Sequence, residues 1–349
     1  LFRSLVVYLG LELMSLSLYA LVALRRDHGV STEAAMKYFV LGALASGFLL
    51  YGLSMMYGAT KSLDINGVFE AINTGRINPT VLTFGVVFVV AGLGFKLGVV
   101  PFHMWVPDVY QGAPTSVTAF MAVASKAASF GAFLRVFVEG LGGASADWSV
   151  LFTIICLATL ALGNLVAIVQ TSIKRMLAYS SIAQAGFMLF ALFALNENAK
   201  AGLVLYAAAY SLATIGIFAV LIKMNDYTID GFNGLAKKQP VLALTATVFL
   251  LSLTGIPLTA GFQSKFFMLM AAVENGHQFW LVIFAVLCAA ISAYYYFRVI
   301  QAMYFKEGSE EVTADWDITP AFKALLIITA ALVIILGIYP NLVIDWLYY

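Results

Sequence analysis

Three lysines stand inside long apolar stretches of this chain: Lys96 in Gly-Leu-Gly-Phe-Lys-Leu-Gly, Lys126 in Ala-Ser-Lys-Ala-Ala and Lys265 in Phe-Gln-Ser-Lys-Phe-Phe. Glu12 stands in another, Tyr-Leu-Gly-Leu-Glu-Leu-Met-Ser-Leu-Ser-Leu, and Arg298 lies late in a further one. A charge at the centre of a bilayer costs about 2.5 to 3.5 kcal/mol on insertion scales, so such groups are normally paired, hydrated or functional. The chemistry open to them is proton exchange. Desolvation favours a neutral lysine and a nearby carboxylate favours a charged one, so movement of a partner such as Glu12 would switch the proton. Taking a lysine pKa from about 10.4 to about 7 needs roughly 4.6 kcal/mol, within reach of burial plus one altered charge pair. Static pairing that glues helices together is the other reading; four such residues on separate spans favour a relay.

Between Lys96 and Lys126 runs a connection punctuated by Pro101, Pro107 and Pro114, carrying His103, Asp108 and Tyr110 as secondary candidates. Lys37, near the start of one apolar stretch, is another, and like Arg135 near the end of one it can snorkel to the interface.

The elements that must hold these groups are read from composition. With 62% hydrophobic and 11% charged residues and a mean hydropathy of +0.94, the chain is polytopic and its solvent is lipid. Ten stretches reach the length needed to span a hydrocarbon core: 4–24, 34–57, 80–100, 114–139, 148–170, 175–195, 199–223, 240–273, 278–304 and 319–347. Lipid offers the backbone no hydrogen-bond partner, so the expected fold class is all-α, a transmembrane helix bundle. Breaks are expected where the third stretch meets Pro101 and where Thr254-Gly255-Ile256-Pro257 interrupts the eighth, since proline removes an intrahelical bond. Each break has a lysine near it: Lys96 five residues before Pro101, Lys265 eight residues after Pro257. A broken helix with an ionisable residue, recurring in corresponding places, marks repeated transporter folds; the frequency of Gly and Pro in membrane helices explains the same spacing without function.

Loops numbered alternately put Arg25, Arg26, Lys174, Arg175, Lys223, Lys237, Lys238 and Lys306 on one side and Arg3, Lys61, Arg76 and Lys200 on the other. The first side is expected to be cytoplasmic.

Other features exclude more than they assign. The net charge of +1 gives no basic footprint for nucleic acid. Cys156 and Cys288 stand singly in apolar stretches, so no disulfide framework, CxxC metal site or iron–sulfur cluster is expected. Gly92, Gly94 and Gly98 miss the dinucleotide spacing and read as close-packing positions, Gly94 and Gly98 forming a small-xxx-small pair. His28, His103 and His277 fall at stretch ends and make no case for haem. Tyr294, Tyr295 and Tyr296 read as interfacial belt or packing rather than a quinone pocket. Ser180, Ser181 and Gln184 suit either helix–helix hydrogen bonds or waters of a path. Glu307, Glu310, Glu311, Asp315 and Asp317 read as a solvated acidic loop. Leu1 is no initiator residue, which leads to the expectation that the N-terminus is incomplete.

Residues 94–115, Gly-Phe-Lys-Leu-Gly-Val-Val-Pro-Phe-His-Met-Trp-Val-Pro-Asp-Val-Tyr-Gln-Gly-Ala-Pro-Thr, resemble the antiporter-like subunits of respiratory complex I. Leu-Gly-Leu-Glu-Leu-Met-Ser-Leu (9–16), Ile-Lys-Arg-Met-Leu-Ala-Tyr-Ser-Ser-Ile (173–182) and Gly-Ile-Pro-Leu-Thr-Ala-Gly-Phe-Gln-Ser-Lys-Phe (255–266) support the likeness. Pro-Asp-Val-Tyr-Gln-Gly-Ala-Pro, and lysine rather than glutamate at 265, resemble one branch of these subunits, and the lack of a lateral helix after residue 349 argues against another.

The resemblance implies two inverted repeats, each with one discontinuous helix. It places the remainder of the first repeat (family helices 5–8) at 1–139 and the second repeat (helices 9–13) at 140–304. An acidic loop and C-terminal helix follow at 305–349, and about four helices would precede residue 1. It implies a proton path over Glu12, Lys96, Lys126 and Lys265, in which opening of the Glu12–Lys96 pair switches Lys96. Lys126 would relay the proton centrally and Lys265 would exchange it with the far side through water. Implied with these are no cofactor in this chain, FMN, iron–sulfur clusters and quinone in the rest of the complex, neighbouring membrane-arm subunits as partners, and a bacterial inner membrane. A multisubunit sodium/proton antiporter subunit and a passive membrane scaffold are the alternatives.

Overall fold

The computed structural model describes residues 4–194, 196–274, 279–308 and 318–345; Arg3, His277, Glu310, Glu311, Asp315 and Asp317 lie outside them. The described residues fold as helices, with one isolated antiparallel bridge between Ser172 and Thr228. They cluster into two compact units, one of residues 1–117 and 124–159, the other of residues 118–123 and 160–349.

The first unit holds α1 (Ser4–Val22), α2 (Gly29–Thr60), α3 (Ile65–Asn73), α4 (Pro79–Leu97) and α5 (Trp105–Gly112). Most of α6 (Thr115–Gly140) and the first part of α7 (Ser145–Ile168) complete it. Its spine is α2 against α4, and the two backbones approach closely because glycine faces the contact. A Cβ on Gly92 would lie 2.5 Å from the Cβ of Leu49, and one on Gly52 2.7 Å from the amide of Val89. The close approach is therefore made by Gly52 and Gly92, not by the expected Gly94–Gly98 pair. Gly98 ends α4 with φ +71°, a left-handed position that costs glycine little.

The second unit holds α8 (Ile173–Met188), α9 (Glu197–Ile222), α10 (Pro240–Thr254), α11 (Ala260–Glu274), α12 (Phe279–Phe305) and α13 (Pro320–Ile338). Ala209, Ala260 and Leu336 meet in a core between α9, α11 and α13, where small residues let the helices close up. At one end of this unit Ile173 donates to Tyr227 O (2.7 Å), Ile229 to Thr171 O (3.0 Å) and Gly234 to Ala302 O (3.0 Å). The connections before α8 and before α10 thus meet the end of α12, three segments that the alternating loop count puts on one side. At the other end Asn198 donates to Glu274 (3.1 Å).

Eight described helices are long and apolar enough to cross a membrane: α1, α2, α4, α6, α7, α9, α12 and α13. The remaining two of the ten expected stretches differ for physical reasons. α8 is only 16 residues and buries all but Arg175 and Tyr179. The 240–273 stretch is two 15-residue helices, because Gly255 at φ +91° ends α10 ahead of Pro257. α3, whose N-cap Asp64 accepts from Gly67 N at 3.3 Å, was not visible in the polar connection that holds it.

Candidate functional site

Both expected breaks are present, and each is closed in the same way on its N-terminal side. α4 ends at left-handed Gly98 three residues before Pro101, and α10 ends at left-handed Gly255 two residues before Pro257. A helix that stops inside a membrane leaves its last carbonyls without intrahelical partners, and those groups must be satisfied locally.

At the first break the tryptophan of the next helix does part of this: Trp105 Nε1 donates to Phe95 O at 2.9 Å. Val100 N donates to Thr159 Oγ1 at 3.0 Å. The Trp105 ring is fixed by stacking on Tyr38, centroids 4.5 Å apart and planes 18° apart, and by an edge contact with Tyr110. Lys96, in the last turn of α4, is left for another partner. Its ammonium lies 3.2 Å from Glu12 Oε1 of α1 and also hydrogen-bonds Ser15, one helical turn from Glu12. The lysine side chain is 2% exposed and the carboxylate 19%. With the lysine enclosed and the carboxylate largely so, separating this pair in low dielectric costs far more than at a surface.

At the second break the lysine itself satisfies the helix end. Lys265, in the second turn of α11, donates to Leu253 O at 2.9 Å and Thr254 O at 3.1 Å. Its Nζ also sits 4.4 Å from the ring centre of Phe187, a cation–π contact. Lys265 is 6% exposed.

Lys126 is 4% exposed and belongs to the first unit. It begins an α-helical run directly after a π-helical turn, Met121–Ser125, and a second π turn, Arg135–Gly140, ends α6. Such turns shift side-chain register within a helix and recur at functional sites. The structure thus buries all three lysines and joins Glu12 to Lys96.

Residues 4–292 match the family model for the transmembrane region of NADH:quinone oxidoreductases and Mrp antiporters. The chain belongs to this family. NADH-quinone oxidoreductase subunit N of Cupriavidus taiwanensis is 46% identical over 359 residues, a match covering 99% of this chain and 72% of that protein. A chain of respiratory complex I from Thermus thermophilus with bound aureothin superposes with a TM-score of 0.85 at 36% identity, covering 98% of this chain and 75% of that one. A chain of the Mrp complex from Dietzia sp. DQ12-45-1b, at 20% identity, shares the fold, with a TM-score of 0.87 over 99% of this chain and 72% of that one.

The secondary candidates of this family member separate into distinct places. Lys37 is not snorkelling alone: its Nζ lies 2.8 Å from both Glu33 and Asp108, tying α2 to α5 in a partly exposed cluster. Tyr110 is buried against Trp105 and helps hold the first break. His103 sits in the turn between α4 and α5, and no hydrogen bond joins it to Glu12 or Lys96. Arg298 donates to Ile168 O at the end of α7. Lys174, counted with a loop, is buried in the first turn of α8 with its Nζ 5.3 Å from the Tyr227 ring centre.

Ser180 and Gln184 do hydrogen-bond across helices beside Lys265; what the residue pattern missed is that two tyrosines complete this network. Of the three tyrosines, only Tyr294 faces outward (58% exposed), while Tyr295 and Tyr296 are fully buried. Their hydroxyls reach Asn164 and Ser180 respectively, and Gln184 donates to Tyr296 at 3.2 Å. The only sequence signal was helical spacing: Ser180 and Gln184 lie on one face of α8.

Proposed function

We propose that this chain is a membrane-arm subunit of NADH:quinone oxidoreductase that moves protons across a bacterial inner membrane, coupled to electron transfer in other subunits. The relay runs over Glu12, Lys96, Lys126 and Lys265. The observation that carries it is the buried Glu12–Lys96 pair at 3.2 Å beside an interrupted helix. While the pair is closed, Lys96 is held charged. When Glu12 draws away, desolvation acts alone on the ammonium and its proton is released toward the next lysine. Lys126 takes the central step and Lys265 exchanges the proton with water. The chain holds no redox group of its own; FMN, iron–sulfur clusters and quinone act in the rest of the complex, and neighbouring membrane-arm subunits are the partners.

Family position supports this over a sodium/proton antiporter subunit: the identity to subunit N is 46%, against 20% to the Mrp chain. A passive scaffold would have no need to retain buried charges at their insertion cost. The test uses the intact complex in proteoliposomes with Glu12→Gln and Lys96→Gln combined, which strands no charge of the pair, against wild type. NADH-driven quinone reduction and lumen acidification are expected to fall together while assembly on a native gel is normal. Unchanged acidification would remove Lys96 from the path.

A further inference from the structure

The polar network next to Lys265 continues past it in one direction, toward the end of the second unit where α7, α8 and α12 meet their loops. Lys265 and Gln184 share an acceptor: Gln184 Nε2 donates to Leu253 O at 2.8 Å, and the same nitrogen donates to Tyr296 OH at 3.2 Å. The Gln184 carbonyl accepts from Tyr206. Between Gln184, Tyr206, Tyr210, Ser252 and Lys265 lies a cavity of about 10 Å³, room for about one water among enough polar atoms to hold it.

Beyond Gln184 the chain runs outward along α12. The Tyr296 hydroxyl meets Ser180, the Tyr295 and Tyr296 hydroxyls hydrogen-bond, and Tyr295 donates to Asn164 Oδ1 at 3.1 Å. One turn further along both helices, Arg298 donates to Ile168 O. Arg298 is also the inner wall of a cavity of about 320 Å³ lined by Thr171, Thr228, Asp230, Gln301 and Lys306. Its rim is open, with the Asp230 and Lys306 side chains 78% and 54% exposed. The helix rise fits a route from surface to mid-membrane: Thr254 stands about 20 Å along α10 from Pro240 at that same end.

We infer that this cavity is the aqueous mouth of a proton access route to Lys265, with Gln184 as the latch at its inner end. The inference rests on the relay reading of Lys265. In the observed arrangement both amide hydrogens of Gln184 are committed, to Leu253 O and Tyr296 OH, and its carbonyl accepts from Tyr206, so the amide stands between Tyr296 and the cavity beside Lys265. Rotation of the amide frees Tyr296 OH, leaves Leu253 O to Lys265 alone, and admits water between Tyr296 and the lysine. A proton entering at Tyr296 then displaces the hydroxyl's own proton onto that water, the water passes one to neutral Lys265, and an ammonium results; the hydroxyls rotate back. Arg298 stands at the mouth as a fixed cation that resists passage of hydrated cations. The mouth opens among the basic loops, so this is access from the side those loops place in the cytoplasm, opposite to the far-side exchange expected of Lys265. A lysine in a pump needs both accesses, one at a time, and a latch supplies that alternation.

The test uses the whole complex in inverted membrane vesicles, whose outer face is the cytoplasmic one. Gln301→Cys is exposed in the mouth, whereas Cys156 and Cys288 are buried. Treating it with a membrane-impermeant, positively charged methanethiosulfonate is expected to lower NADH-driven proton uptake by about tenfold, the lower end of what charge at the entrance of a cleft does to the arrival of an ion. Gln184→Ala, which removes the latch, is expected to lower protons moved per NADH while oxidation continues. The route is overturned if labelled Gln301→Cys pumps like unlabelled complex, or if Gln184→Ala keeps the wild-type ratio. Lys265→Ala separates the two readings: if it stops pumping while those variants do nothing, the relay stands and only this route falls; if it pumps normally, both fall.

Discussion

The two interrupted helices use the same stop signal and neutralise their lysines differently. At the first, Lys96 precedes the break and meets a whole negative charge on another helix, Glu12, while Trp105 caps the freed Phe95 carbonyl. At the second, Lys265 follows the break and is held by the partial charges of a helix C-terminus, through Leu253 O and Thr254 O. A carboxylate can move away or take a proton; a helix end can do neither. The first break is built as a pair that opens, the second as a cradle that stays while its surroundings change.

The largest effect should come from removing one side of the pair. Glu12→Ala leaves Lys96 buried without its counter-charge, expected to cost about 3 to 5 kcal/mol and to show as lost assembled complex on a native gel. Glu12→Gln combined with Lys96→Gln should recover assembly but not pumping. If the double variant assembles no better than the single one, the pair is not what holds α1 to α4.

Alanine at the two stop glycines sharpens the contrast. Both positions have positive φ, so each substitution is expected to cost about 1 kcal/mol or more in thermal stability of the complex. The atoms a new Cβ meets differ: Val106 Cγ2 at 2.7 Å from Gly98, but Lys265 Cδ at 3.1 Å from Gly255. Gly98→Ala should therefore act on assembly, and Gly255→Ala on pumping at near-normal assembly. Equal pumping losses at equal assembly would erase the distinction.

Trp105→Phe keeps the stack on Tyr38 and deletes one of two donors to Phe95 O, the other being Gly98 N at 3.1 Å, so the lost hydrogen bond is expected to cost about 1 kcal/mol in a denaturation midpoint. The smallest effect belongs to the outer face of that break. Asp108→Asn weakens a partly exposed ion pair with Lys37 and should change stability by about 1 kcal/mol or less, measured the same way.

Much of this was legible in residue order. Lipid as solvent, helices as the only economical fold, the two breaks and the burial of Lys96, Lys126 and Lys265 all follow from local pattern, because a charge in an apolar stretch and a Gly–Pro interruption are local facts. The pairing of Glu12 with Lys96, 84 positions apart, was an expectation that needed α1 folded beside α4 to become a distance. Tyr295 and Tyr296 read as belt residues because their one-dimensional context is aromatic and near a helix end; only the packing of α12 against α7 and α8 turned their hydroxyls inward. Gly92 packs against a neighbouring helix as a small residue in an apolar span should, whereas Gly98 ends its own helix, a role set by its left-handed backbone.

What the sequence determined by itself is which residues are too polar for their surroundings and where helices must stop. Which polar group answers which, and whether a lysine rests on a carboxylate or on a helix end, was decided by tertiary structure, since those partners are brought together only when separate helices pack.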